Sequence, residues 1–165
     1  MLRQKDLDAR WTKKNDEKHY GYKNHVKVDS NSKLIDAFTV TDASVHDSQA
    51  LDELICEGDP VTYVDSAYAG AACEAAFESK GVEAKVMERA YRNKSLTPKQ
   101  RKSNRAKSRI RVRVEHVFGT MCMCMRAAWN RCIGVNRNQG AIVMTNLVYN
   151  MIRLEQIERL SLRTW

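Results

Sequence analysis

The chain has 165 residues, 29% of them charged and 43% hydrophobic, with 28 Lys and Arg against 20 Asp and Glu. That length bounds a single domain with a core of its own, and that balance excludes a disordered chain. No apolar run approaches the roughly 18 residues of a membrane span, and the opening Met1-Leu-Arg-Gln-Lys-Asp6 is charged rather than signal-like, so a cytoplasmic protein without a membrane partner is expected.

Residues 1–18 are polar, with Trp11 as their one large apolar side chain, and read as an extended lead-in. From Tyr20 the pattern alternates: Tyr20, Tyr22, Val26 and Val28 fall on even positions, with Lys23, His25 and Lys27 between them, the mark of a half-buried strand. Asp29-Ser-Asn-Ser-Lys33 is a turn of the Asx and Ser type, and residues 34–40 form a second β-rich run, so the two make a hairpin. Residues 41–48 supply helix-capping side chains ahead of a short helix over 49–56. Residues 61–65 read as a short buried strand ending in Asp65, 66–70 as a small-residue loop, and 71–79 as an Ala-rich helix closed by Gly81. A further strand over 82–87 completes a strand–helix–strand unit, which demands a parallel pair with a right-handed crossover. Pro98, with Thr97 as N-cap, opens a helical stretch, and residues 139–160 end the chain as an amphipathic helix with Ile142, Leu147, Tyr149, Met151, Ile152 and Leu154 as its apolar positions. The expected architecture is α/β: a hairpin beside a parallel pair in one mixed sheet, covered by helices.

Five cysteines, Cys56, Cys73, Cys122, Cys124 and Cys132, form no even framework, and no Cys and His set completes a zinc site. Buried free thiols are the expectation.

The net charge of +8 is unevenly spread. Residues 89–113 hold eleven Lys or Arg and no acid, which leaves 17 basic against 20 acidic residues, or −3, for the rest. A solvated face normally mixes signs, so an unmixed run points to a polyanionic partner. The run continues into a helix over 103–121, where Ile110, Val114, Val117, Phe118 and Met121 recur at the helical period. Arg105, Arg109 and Arg113 step along the opposite side. Glu115 is the only acid between Arg89 and Thr120, and Arg111 lies four residues before it, which suits either an ion pair or a site.

Asp65, at the C-terminal end of a strand, occupies the rim where ligands gather in open α/β sheets. With Glu115 it makes a pair of hard-oxygen donors suited to Mg²⁺. Two such ions about 3.5–4 Å apart activate an attacking oxygen and stabilise a leaving oxygen in phosphodiester chemistry. His46, in the loop before a helix that should face Asp65, is the histidine placed best for a site role, with helix capping as its alternative. His116 is expected on the solvent side; His19 and His25 are expected at the surface.

Tyr20-Gly-Tyr-Lys-Asn-His25, Val40-Thr-Asp-Ala-Ser-Val-His-Asp-Ser48, Tyr63-Val-Asp-Ser-Ala-Tyr68 and Arg111-Val-Arg-Val-Glu-His-Val-Phe-Gly119 together resemble the DDE transposases of bacterial insertion sequences, in the family's order and over nearly the whole chain. The resemblance implies a ribonuclease-H-like core, Mg²⁺ or Mn²⁺ as cofactor, and cut-and-paste DNA transposition near the nucleoid. It makes Asp65 the second catalytic aspartate, Glu115 the catalytic glutamate and Arg111 the arginine one helical turn before it. Arg92, Lys94, Lys99, Arg101, Lys102, Arg105, Lys107, Arg109 and Arg113, with Arg126, become the expected DNA contacts.

Three departures accompany the likeness. Ser108 stands where the family often has a tyrosine, and Cys122 where it often has a basic residue, both spots that contact DNA ends in relatives; Arg126 one turn later can substitute. The strand carrying the first catalytic aspartate is expected to be missing ahead of the Tyr20 hairpin, since Asp6, Asp8 and Asp16 fall in the lead-in. The expectation is therefore a truncated catalytic domain, inactive alone, that self-associates or pairs with a full-length transposase. The alternative is a basic DNA-binding fragment that regulates such a transposase.

Overall fold

The computed structural model describes residues 6–14, 16–59, 61–91 and 95–161. Its strands are β1 (Arg10–Lys14), β2 (Glu17–Val28), β3 (Ile35–Asp42), β4 (Val61–Val64) and β5 (Glu83–Val86). Its α-helices are α1 (Leu51–Leu54), α2 (Ala71–Ser79), α3 (Pro98–Met125) and α4 (Val135–Ser161), and a 3₁₀ turn over Asp47–Ala50 leads into α1. The result is a mixed α/β fold.

The alternating stretch from Tyr20 is the second half of β2. Tyr22 to Val28 pair antiparallel with β3, from Tyr22↔Asp42 to Val28↔Ile35. The Asp29 carboxylate closes the turn as an Asx side chain does, accepting from the amides of Asn31 at 3.0 Å and Ser32 at 2.6 Å. The lead-in differs from expectation. Arg10–Lys14 is a strand, paired antiparallel with Glu17–Gly21 of β2, and Trp11 meets Tyr20 with ring centroids 5.0 Å apart. β2 passes from one partner to the other at Gly21, whose φ of 149° lies where side chains are strained; glycine permits the changeover.

β4 and β5 pair in parallel, Val61↔Glu83 through Val64↔Val86, with α2 as the crossover. The expected single sheet is not formed: β1-β2-β3 and β4-β5 are separate sheets, with no ladder between them among the described residues. Each has its own core. Leu51, Ile55, Val64, Cys73, Phe77 and Val82 pack around the parallel pair. Ile35, Val117, Met121 and Tyr149, with Val26, Val28, Phe118 and Met125, join the antiparallel sheet to α3 and α4.

The two helical stretches expected over 97–121 are one helix of 28 residues. Thr97 and Gln100 form a capping box at its start, and Val117 and Met121 of its apolar stripe are fully buried. α4 reverses the expected polarity. Of its six expected core positions only Tyr149 is buried, while Leu147, Met151, Ile152 and Leu154 are exposed. Its inward face is polar and bonds the β2–β3 sheet directly. Asn146 pairs with Asn24. The Asn150 amide brackets Ile35, accepting from its N–H at 2.8 Å and donating to its carbonyl at 2.9 Å. Tyr149 and Arg153 donate to the carbonyls of Lys33 and Ser32. No helix among the described residues is long and apolar enough to cross a membrane.

Candidate functional site

Asp65 follows β4 directly and caps the 3₁₀ turn Ser66–Tyr68, its Oδ1 accepting from the Ser66 amide at 2.6 Å. Its other oxygen faces Arg111 of α3, with Nη2–Oδ2 at 3.3 Å. The pair is partly open to solvent, 46% for Asp65 and 27% for Arg111, so it orients more than it stabilises. A second Arg111 nitrogen donates to the Met87 sulfur at the end of β5, 3.2 Å away, which fixes the guanidinium between the two strand ends. Arg111 thus pairs with Asp65 across the fold and not with Glu115 along the helix.

Glu115 is exposed one turn further along α3, and its carboxylate makes no ion pair or hydrogen bond among the described residues. The donor types present, two carboxylates, match the oxygen preference of Mg²⁺ or Mn²⁺, but their number does not. One of the two is already held by Arg111, and no group of three or more His, Cys, Asp or Glu able to hold a metal occurs among the described residues. On this donor set alone a metal ion is short of ligands.

His46 lies at the start of the 3₁₀ turn Asp47–Ala50. It caps the 3₁₀ turn, its Nδ1 accepting from the Ser48 amide at 3.3 Å and facing the Ser48 hydroxyl at 2.8 Å, with Gln49 completing a capping box. His25 is buried rather than at the surface, bonded to the Thr41 hydroxyl at 2.8 Å. Burial pushes its imidazole below the ordinary 6.5 despite Asp47 nearby. His116 is exposed, 3.2 Å from the Lys33 ammonium. Of the thiols only Cys73 is buried; Cys56, Cys122, Cys124 and Cys132 are exposed, against expectation.

The basic helix divides by face. Asn104 bonds both backbone groups of Glu88, and Lys107 donates to the Val86 carbonyl at 2.6 Å, so this side is tied to the end of β5. Lys107 is thereby committed to the fold. Lys99, Arg101, Lys102, Arg105 and Arg109 are exposed without an ion pair among the described residues. Arg113 is half-buried and lies toward Asp29. Arg126, exposed, ends α3 in the left-handed conformation at φ 52°. Arg92 and Lys94 lie outside the described residues.

Between β2 and β4, beneath α3, a cavity of about 270 Å³ reaches Asp65 at one end. Tyr68 lines it, its hydroxyl pushed up to about 12, chiefly by burial and further by Asp47.

The Transposase DDE domain family matches residues 2–151, most of the chain. This chain belongs to that family. A transposase for insertion sequence element IS1106, from Neisseria meningitidis serogroup B, is 36% identical over 152 residues. The match takes in 90% of this chain but 52% of the relative, so this DDE transposase chain spans about half the length of the curated relative it matches. No solved structure matches it. Sequence reasoning missed two of the site's structural supports, the Met87 contact to Arg111 and the Asn104 and Lys107 anchors. None of these three residue types signals such a contact until β5 is set beside α3.

Proposed function

We propose that this chain carries part of a ribonuclease-H-like, metal-dependent centre for DNA cleavage and strand transfer, with Asp65 and Glu115 as two of its carboxylates and Arg111 as the residue that positions Asp65. The observation that carries the reading is the 3.3 Å Asp65–Arg111 pair, which ties a strand end to the helix bearing Glu115 one turn on. In such a centre Mg²⁺ or Mn²⁺ would activate the attacking oxygen; a further ligand beyond these two is required to hold it. Arg111 keeps Asp65 aimed, and loss of Arg111 leaves that carboxylate free to turn to solvent.

DNA approaches the exposed side of α3. Arg101, Arg105 and Arg109 recur at four-residue steps on the side away from the Asn104 and Lys107 anchors, and such cations contact phosphates without reading bases. Duplex binding is therefore expected to be weakly sequence-dependent and steeply salt-dependent. Replacing Arg101, Arg105 and Arg109 together with Ala is predicted to flatten the log–log salt slope by about 0.9 for each phosphate that is no longer neutralised. Fluorescence anisotropy across a salt series reads this directly, and an unchanged slope would move the DNA surface elsewhere.

The second reading is a DNA-binding fragment that regulates a full-length transposase by competing for DNA or by forming mixed oligomers. The shortage of metal donors favours it, because such a fragment binds DNA without cutting it. Adding the chain to an active full-length relative separates the two: a regulator lowers the relative's cleavage in proportion to the chain added.

A further inference from the structure

The turn between β2 and β3 holds a lysine in the left-handed region that Asn, Asp and Gly favour: Lys33 has a φ of 62°. Its backbone is fixed there from both sides. The amide donates to the Asp29 carbonyl at 3.0 Å, and the carbonyl accepts from the Tyr149 hydroxyl at 3.0 Å. The side chain reaches α3, where its ammonium donates to His116 Nδ1 at 3.2 Å. Arg153 arrives from α4, with its Nε donating to the Ser32 carbonyl at 2.6 Å. Where these three elements meet there is a cavity of about 100 Å³, lined by Lys33, His116 and Arg153 with Thr120 and Gln156 beside them.

No acid lines this cavity, and neither Lys33 nor Arg153 makes an ion pair among the described residues. The acids near in sequence are occupied or turned away. Asp29 accepts from Ser32 within the turn, and Glu155 pairs with Arg159. Glu115, one residue before His116, points about 100° round the helix from it. Two cations held at one cavity without a carboxylate repel each other, and a bound anion offsets that repulsion. The groups left over are all donors. An ammonium can only donate, so His116 accepts at Nδ1 and carries its proton on Nε2. Arg153 spends Nε on Ser32 and Nη1 on Gln156, and its Nη2 has no partner among the described residues. Ammonium, guanidinium and imidazole N–H groups converging on one space suit a tetrahedral oxyanion. The volume admits one phosphate group, whereas pockets for whole small-molecule ligands begin at about 300 Å³.

The cavity also continues a line already described. His116 stands about two helical turns beyond Arg109, on the side of α3 that carries Arg101, Arg105 and Arg109. From Arg101 to His116 is about 22 Å of helix, less than one turn of duplex at about 34 Å, so one duplex spans both. We infer, resting on the reading of α3 as the DNA-facing helix, that this cavity is a phosphate-binding pocket that takes one backbone phosphate of the bound duplex. Lys33 and Arg153 hold that phosphate from two sides, away from the Asp65–Arg111 pair. A pocket differs from loose surface cations in that both charges act on the same phosphate.

The test uses the full 165-residue chain with Lys33→Gln, Arg153→Gln and the two combined. Gln at 153 keeps an amide donor for the Ser32 carbonyl, and thermal unfolding checks that each variant is folded; Lys33→Gln carries the test should Arg153→Gln unfold. Fluorescence anisotropy with a labelled duplex reads the log–log salt slope. Each substitution alone is expected to flatten it, and the pair to flatten it by about 0.9 in all, the value of one phosphate. A pair that flattens it by about 1.8 reports two independent surface contacts, and an unchanged slope reports none; either overturns the pocket. Inorganic phosphate, titrated against chloride at equal ionic strength, is expected to shift the Lys33 amide and Arg153 Nε–H resonances saturably, and Lys33→Gln to abolish the shift. No saturable shift overturns the pocket. A saturable shift with the DNA slope unchanged makes the ligand free phosphate and overturns the assignment to DNA. Replacing Arg101, Arg105 and Arg109 in the same assay separates the two failures. A slope that this triple change flattens and the pocket variants do not sinks the pocket alone; a slope that neither moves sinks the reading of α3 as well.

Discussion

The Asp6 carboxylate accepts four hydrogen bonds, from the Tyr22 hydroxyl, the amides of Asp8 and Ala9, and the Gly134 amide at the head of α4. Asp8 accepts from Val135 beside it, so two lead-in aspartates cap a helix more than a hundred residues away. Burial alone would raise the Asp6 carboxyl, but these hydrogen bonds outweigh it and hold the group below its ordinary 3.8. A depressed carboxyl stabilises the fold fully above its unfolded value and loses that contribution as pH falls through the folded one. Asp6→Ala is therefore predicted to cost about 1 kcal/mol at neutral pH, the size of a lost cap, and the gap from the unsubstituted chain is predicted to close below 3.8. Urea titrations at neutral and acid pH check this; a gap that persists in acid would assign the effect to packing. Asp65 was legible in the sequence because a strand end followed by small residues marks a rim position. Asp6 was not, since its partners lie in segments that only the tertiary fold brings together. His25 was misread for the same reason: alternation put it on the polar side of β2, and only Thr41 across the hairpin and the cover over that face make it buried.

At the scale of the element, α3 was readable because its burial follows the 3.6-residue period, and its capping box is local in sequence. α4 was not. Its apolar side chains are as numerous as its polar ones, yet Asn146, Asn150 and Arg153 face the sheet and bond backbone and side chains there. Composition cannot reveal that a buried backbone needs partners. Ile35 is 7% exposed at the start of β3, and the Asn150 amide serves both its N–H and its carbonyl as a neighbouring strand would. Asn150→Ala is predicted to destabilise the chain by about 2 kcal/mol, the cost of stranding buried polar groups. Leu147→Ala, at a half-exposed site, is predicted to cost well under that. Thermal unfolding of both variants checks the order; Leu147 proving the more costly would restore the apolar face to the core. β1 escaped the sequence reading because its lysines mask the alternation of a strand only five residues long.

For the whole molecule, the hairpin, the parallel pair and the helices were each readable, but not that the two sheets stand apart. Periodicity reports which face of a strand is buried and says nothing of which edges pair. The separation leaves a slot where the sheets would meet, with Asp65 at its end, Arg111 over it and Glu115 one turn beyond. The proposed function rests on the same arrangement: exposed cations on the far side of α3, and the carboxylates of Asp65 and Glu115 on either side of Arg111. The most direct measurement is cleavage of supercoiled DNA carrying the element's ends, in Mg²⁺ and in Mn²⁺, by the chain alone beside a full-length relative. Salt-sensitive binding by the chain with no nicking is expected, while the relative cuts. Nicking by the chain alone that disappears with Asp65→Ala would contradict it, by showing that the carboxylates present suffice.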